Sequence, residues 1–265
     1  MRQFHAVTNT PGRAAILPLL IALLIATIMP ATRGHFVFVL PDEKGTKATV
    51  ILSETLEVDE DIDPELVDGV KLVTRDGAGA EAALELARDG ATRFVKLPAD
   101  PRGAVHGTLT HGIMKHGPKP FLVVYHPKAC LGYPFGSAAR IGEESAAEIV
   151  PAGHPGAVRF QLLSRGEPVA DARMIVLLPD GTQQEVTTNA TGHTPVFDAV
   201  GRYGAWARHV VAKPGTHAGE AYVEERHYPT IVMDAPAGHR GAAKQTHAVL
   251  TNTEKLPPLP IPASS

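Results

Sequence analysis

A two-residue alternation of apolar and polar side chains within residues 157–233 constrains the fold more than any other feature of the chain. Residues 158–162 alternate strictly, and residues 172–178 form a nearly continuous apolar run that ends at Pro179-Asp180-Gly181. Two further runs, 201–211 and 222–233, lie on either side of a polar turn. Because no 3.6-residue period is sustained, the region predicts a small antiparallel β-sandwich.

The N-terminal half carries a second series of short apolar runs, whose spacing predicts another sandwich. Near its middle, Asp63, Pro64 and Glu65 predict the N-cap and first turn of a short helix. We interpret the chain as an all-β protein with two antiparallel β-sandwich domains in tandem, of Ig-like or prealbumin-like type. The predicted parts are a signal peptide (1–34), an N-terminal sandwich (35–128), a linker (129–155), a C-terminal sandwich (156–235) and a disordered Pro-rich tail (236–265).

Composition supports this fold class and limits the partners. Glycine (25) and proline (23) are abundant and aromatic residues make up 5% of the 265 residues, which is typical of a turn-rich β protein. The formal net charge is −3. It falls to −6 without residues 1–34, because this segment contains Arg2, Arg13 and Arg33 and no acidic residue. An acidic chain of this kind argues against nucleic-acid binding.

The N-terminus has the pattern of an export signal. Arg2 and Arg13 accompany an apolar stretch, residues 14–29, that is shorter than the roughly 20 residues a membrane-spanning helix needs. Cleavage after Gly34 would start the mature protein at His35. We therefore expect a periplasmic or secreted protein with no membrane span after cleavage, and an uncleaved anchor is the alternative.

A family resemblance rests on residues of the C-terminal half. The pattern Gly166-x-Pro168-x-x-x-Ala172, then Thr188-x-x-x-Gly192, then Gly201-x-Tyr203, resembles the carboxypeptidase-regulatory-like and collagen-adhesin-B-like β modules. With the preceding half included, residues 35–234 resemble a family of exported all-β proteins of unknown function. Some members are associated with periplasmic nickel or cobalt uptake, and members tend to begin at or near a histidine. The resemblance implies a metal-binding protein with a membrane transporter or envelope protein as its partner.

Histidine is the residue type that suggests chemistry. The chain has 13 histidines, and neutral imidazole is a common ligand of nickel, copper and zinc. If cleavage follows Gly34, the α-amine and the imidazole Nδ1 of His35 could chelate one ion together. Joined by one more histidine, this arrangement would resemble the brace of copper-binding periplasmic proteins. The alternative is that His35 is only the first residue of a β-strand.

A second candidate group lies on the two C-terminal apolar runs, which we expect to pair. His209 belongs to the first run, and Glu225 and His227 share one face of the second because side chains alternate along a strand. In a suitable register His209 would lie within ligand reach of Glu225 or His227. A hydrogen-bonded pair on a solvent face is the alternative. His126, at the end of another apolar run, could contribute to a site on one rim.

The common catalytic sequence motifs are missing from the chain, which argues against catalysis. The sequence contains no G-x-S-x-G, H-E-x-x-H, C-x-x-C or phosphate-loop motif. We predict a non-enzymatic exported protein that binds or delivers nickel, cobalt or copper, with His35, His209, Glu225 and His227 as ligands. The alternatives are a structural or recognition module of an envelope or transport complex, and a copper-dependent oxidase built on the histidine brace.

Overall fold

The computed structural model describes residues 34–99 and 102–238. The predicted signal peptide, except Gly34, and the tail beyond residue 238 lie outside the described residues. From His35 onward the described residues belong to one compact unit. Its regular structure is β-strand, apart from single 3-10 turns at Pro64–Val67 and Ser137–Ala139, so the all-β prediction is confirmed. Among the described residues, no helix has the length and apolar character needed to cross a bilayer.

Nineteen strands make up the described fold. Those of the N-terminal half are β1 (Phe36–Pro41), β2 (Lys47–Ser53), β3 (Lys71–Arg75), β4 (Glu81–Leu84), β5 (Leu86–Asp89), β6 (Thr92–Lys96), β7 (Gly103–Met114), β8 (Phe121–His126) and β9 (Lys128–Leu131). Those of the C-terminal half are β10 (Glu148–His154), β11 (Ala157–Ser164), β12 (Glu167–Pro168), β13 (Arg173–Leu177), β14 (Gln183–Thr187), β15 (Gly201–Ala207), β16 (His209–Val211), β17 (Gly215–His217), β18 (Glu220–Tyr222) and β19 (Glu224–Ala235).

A ten-stranded sheet lies at the centre of the molecule. Its main path runs β14-β13-β15-β19-β8-β7-β3-β4, with β16 and β9 as further partners of β19. A four-stranded sheet has the order β1-β2-β6-β5, a three-stranded sheet has the order β10-β11-β12, and β17 pairs with β18. The central sheet therefore takes strands from both of the predicted sandwiches.

The junction between the two halves is a parallel pair. β19 runs alongside β8 with His227 opposite Val124, and continues alongside β9 with Val232 opposite Ala129. The other strand pairs of the described fold are antiparallel, as predicted. The range 129–155, predicted as a linker, contains most of β9 and the whole of β10. The alternation of side chains predicted the strands, but it carries no information about which distant strands become neighbours.

Strand β19 serves two hydrophobic cores at once. Val232 packs in the core beneath the four-stranded sheet, whereas Ile231 and Met233 pack in the core beneath the three-stranded sheet. Alternation along an extended strand explains this division, because successive side chains point to opposite faces. The four-stranded and three-stranded sheets thus cover opposite faces of the central sheet, and the molecule has three layers.

Local predictions around the first core are met in part. Asp63 caps the 3-10 turn as expected, and its carboxylate accepts a hydrogen bond from the Glu65 N–H at 2.9 Å. Beyond this turn, β5 forms a hairpin with β6, while β4 pairs with β3 in the central sheet.

Candidate metal-binding site

A strip of polar side chains extends across one face of the central sheet, the face that the three-stranded sheet covers in part. The register places these residues together: His106 lies opposite Lys128, His227 lies opposite Val124, and His209 lies opposite His227. Alternation along β7, β8, β9 and β19 then adds their next-but-one neighbours to the same face. The polar strip consists of His106, Thr108, His126, Lys128, His209, Glu225 and His227.

Two histidines of the polar strip face each other directly. His126 Nε2 and His227 Nδ1 are 2.9 Å apart, and the ring centroids are 5.1 Å apart. His227 is 4% exposed and His126 is partly buried. The parallel pairing of β8 with β19 brings the two rings together, although 101 residues separate them along the chain. A single proton shared between these nitrogens makes the contact a hydrogen bond.

Glu225 holds the far side of the His227 ring. Its Oε2 lies 3.3 Å from His227 Nε2, and its Oε1 lies 3.0 Å from Lys213 Nζ. The Tyr222 hydroxyl donates a further hydrogen bond to Oε1 at 3.0 Å. Burial alone would raise the pKa of Glu225, but the hydrogen bonds from Lys213 and Tyr222 and the positive charge of Lys213 hold it below its ordinary value. The carboxylate is therefore ionised and accepts hydrogen bonds only.

This carboxylate fixes the tautomers of both histidines. Burial lowers the pKa of His227 and lowers the pKa of His126 to about 3, so both rings are neutral at physiological pH. His227 donates its Nε2–H to Glu225, which leaves Nδ1 as an acceptor. His126 must then donate from Nε2, and its own Nδ1 keeps a lone pair. Neutral, oriented imidazoles of this kind are suited to metal coordination.

His209 lies beside this pair, as the sequence predicted. The expected pairing of the two C-terminal runs is confirmed, and the His209 and His227 rings are 6.5 Å apart between centroids. Burial lowers the pKa of His209. Over residues 34–99 and 102–238, no three His, Cys, Asp or Glu side chains are grouped as a ready metal site. The arrangement therefore offers two facing nitrogens, with His209 as a neighbour.

The structure places His35 apart from the other predicted ligands. Its Nε2 lies 3.2 Å from Asp59 Oδ2, and the Tyr125 hydroxyl approaches its carbonyl oxygen at 3.4 Å. Tyr125 alternates with His126 along β8, so His35 lies on the opposite face of the central sheet from the His126–His227 pair. The structure thus brings together His209, Glu225 and His227 of the predicted set, places His126 against His227 and His35 elsewhere, and adds Lys213 and Tyr222 as partners of Glu225.

A buried ion pair lies at the other end of the polar strip. Lys128 Nζ and Glu148 Oε2 are 2.8 Å apart, and both side chains are 2% exposed. Glu148 also accepts hydrogen bonds from the Ile141 and Gly142 N–H groups at 3.0 and 2.8 Å, while Lys128 donates to the Ala139 carbonyl at 2.7 Å. The pair fastens the segment 139–148 onto the sheet. A cavity of about 370 Å³ remains between this segment and the sheet, and His106, His126 and Glu144 are among the residues that border it.

Comparisons with known proteins add little to this geometry. No protein-family model matches the sequence, and no curated protein matches it. Among solved structures, the chain is similar to pullulanase from Anoxybacillus sp. LM18-11, with 16% identity over 71% of this chain and 27% of that chain and a TM-score of 0.18. The same pullulanase complexed with maltotriose gives 15% identity over 72% of this chain and 27% of that chain, with a TM-score of 0.17. The chain spans about a quarter of the length of these structures, and TM-scores this low support no statement about fold or activity.

Proposed function

We propose that this chain is a non-enzymatic exported protein that binds a divalent transition-metal ion between His126 and His227 and delivers it to a transporter or another protein of the envelope. The observation that carries the proposal is the pair of facing imidazole nitrogens, 2.9 Å apart, on a partly buried face of the sheet. The ion would take the place of the proton that the two rings share.

The separation of the two nitrogens favours particular ions. Imidazole nitrogens bind such metals at about 2.0–2.1 Å, so two cis ligands at a right angle lie about 2.9 Å apart. A tetrahedral angle would require about 3.3 Å. Square-planar and octahedral geometries are those of Cu²⁺ and Ni²⁺, whereas Zn²⁺ prefers the tetrahedron. The observed nitrogen spacing is that of two cis ligands in the nickel and copper geometries.

The surroundings of the two rings support binding that is ordered but exchangeable. Glu225 orients His227 in the manner of the carboxylates that commonly hydrogen-bond a metal-bound histidine. Two protein ligands leave several coordination positions for water or for a receiving partner. This is the chemistry that delivery requires, because a partner can attach its own ligands before His126 and His227 release the ion.

Calorimetry with untagged protein tests the proposal. We expect one Ni²⁺ or Cu²⁺ ion per chain, with affinity rising from Co²⁺ to Ni²⁺ to Cu²⁺. His126→Gln and His227→Gln should each weaken binding at least about tenfold, since each removes one of two ligands. His154→Gln, at an exposed position on β10, is the matched control and should leave binding unchanged.

Two results would contradict this site. Undiminished uptake by the His126→Gln/His227→Gln double variant, with an unchanged thermal melting temperature, would place the ion elsewhere. Loss of binding in His35→Ala but not in His126→Gln would instead support the N-terminal brace.

A further inference from the structure

The cavity beneath segment 139–148 touches the proposed metal site on one side only. His126 borders the cavity, whereas its partner His227 does not. Thr108 and Ser145 contribute hydroxyl groups to the same lining, and His106 contributes a second imidazole. Burial is the main cause that lowers the pKa of His106, so this ring is also neutral at physiological pH. The cavity thus presents neutral hydrogen-bonding groups next to one of the two proposed ligands.

Charge in the cavity lining is unbalanced. The buried charges of Lys128 and Glu148 neutralise each other at 2.8 Å. Glu144 also borders the cavity, is exposed, and has no ion-pair partner within the described ranges 34–99 and 102–238. A single uncompensated carboxylate that borders the cavity attracts cations and repels anions.

The cavity has room for a hydrated ion. Six waters occupy about 180 Å³ at roughly 30 Å³ each, and the cavity holds about 370 Å³. Its wall is held in place, because Glu148 accepts two backbone hydrogen bonds from the segment and Lys128 donates one to it. The space therefore does not depend on a ligand to keep it open.

We infer that this cavity is a second, outer-sphere cation site, which holds the hydrated divalent ion next to His126 before the ion loses water and binds His126 and His227. This inference rests on the proposed function. Glu144 supplies the attraction, and the hydroxyl and imidazole groups hydrogen-bond the water shell. Glu144 is a positioning residue, because it changes the rate at which the ion arrives and makes no bond to the ion bound between His126 and His227.

Stopped-flow kinetics with Ni²⁺ and untagged full chain test the inference, with quenching of the intrinsic fluorescence as the readout. Ni²⁺ loses water slowly, so its observed association rate is proportional to the occupancy of the outer-sphere site. At low ionic strength, Glu144→Gln should slow association about fivefold, as expected for one charge acting on a divalent ion some 8 Å away. The difference should shrink below about twofold in 0.5 M salt. Glu144→Lys should be slower still.

Glu143→Gln is the matched control. Glu143 is an exposed neighbour with the same charge that does not border the cavity, and its substitution should slow association less than Glu144→Gln does, by about two- to threefold at low ionic strength. Equal rates for the two glutamine variants would overturn the outer-sphere site while leaving the proposed function intact, provided that uptake still depends on His126. Absence of Ni²⁺ uptake by the unsubstituted protein would remove both proposals.

Discussion

The two faces of the central sheet are built by the same strands but differ in the side chains they carry. On the face covered by the four-stranded sheet, apolar packing extends along β8 through Phe121, Val123 and Tyr125. On the opposite face, Cys130 of β9 packs in the second core. Two residues earlier on the same face, Lys128 belongs to the polar strip. Because side chains alternate along each strand, a strand can complete a core with the side chains of one face and carry histidines on its other face.

The largest effect is expected when one aromatic ring is removed from the core on each face of the central sheet. Phe38 and Phe160 are fully buried in the first and second core. Phe38→Ala and Phe160→Ala should each reduce the free energy of unfolding by about 3–5 kcal/mol, through lost burial and the cavity left behind. Since both cores share the central sheet, calorimetry should show one transition that moves in both variants.

A different calorimetric result would separate the two faces. Two resolved transitions, one shifted only by Phe38→Ala and the other only by Phe160→Ala, would mean that the layers unfold independently. The two-sandwich organisation predicted from the sequence would then describe the energetics better than the shared sheet does.

The shared sheet marks the limit of what the sequence could reveal about the fold. Alternation and turn residues predicted short strands in both halves of the chain, as the structure has them. They also predicted the antiparallel pairing of β15 and β16 with β19. The parallel alignment of β8 with β19 was not predicted, because it depends on a contact between distant segments that leaves no local pattern.

The buried ion pair of the polar strip gives the second test. Lys128→Met leaves Glu148 as an unpaired buried charge and should cost about 3–5 kcal/mol, measured by urea denaturation. Adding Glu148→Gln should restore part of this loss, because the neutral amide removes the unpaired charge and its one oxygen still accepts a hydrogen bond from either the Ile141 or the Gly142 N–H group. Arg173→Met breaks an exposed pair with Glu185 and should cost less than about 1 kcal/mol. Equal costs at the two sites would show that burial of the Lys128 pair is energetically unimportant.

The smallest of the three effects is a pH dependence confined to the polar side. Burial, with a contribution from His227, lowers the pKa of His126 from 6.5 to about 3. In the unfolded chain His126 takes up a proton near pH 6.5, while the folded protein keeps it neutral. The contribution of His126 to the free energy of unfolding is therefore fully present above pH 6.5. It is lost as the pH drops toward 3, by on the order of 2–4 kcal/mol.

Denaturation series at several pH values, with a chelator present, measure this dependence. His126→Gln should flatten the curve between pH 6.5 and 4, and His154→Gln should leave it unchanged. An unchanged slope in His126→Gln would assign the acid sensitivity to other groups.

The sequence predicted only the part of the candidate site that lies on one pair of strands close together in the chain. His209, Glu225 and His227 were placed on neighbouring strands because they follow a period of two on segments close in sequence. For His126 the sequence indicated only a contribution to a site on one rim and no partner, since its contact with His227 exists only through the parallel junction. His35 was favoured for the chemistry of a free terminus, which says nothing about the side of the sheet where it lies.

The position of β19 beside β8 also determines when the central sheet can form during synthesis. During synthesis β8 leaves the ribosome about a hundred residues before the strand that will lie beside it, since His126 and His227 are 101 positions apart. At about 5–20 residues per second, this edge waits roughly 5–20 s for its neighbour. The nascent chain therefore keeps one edge of β8 unpaired during this interval, and chaperones can bind that edge before β19 covers it.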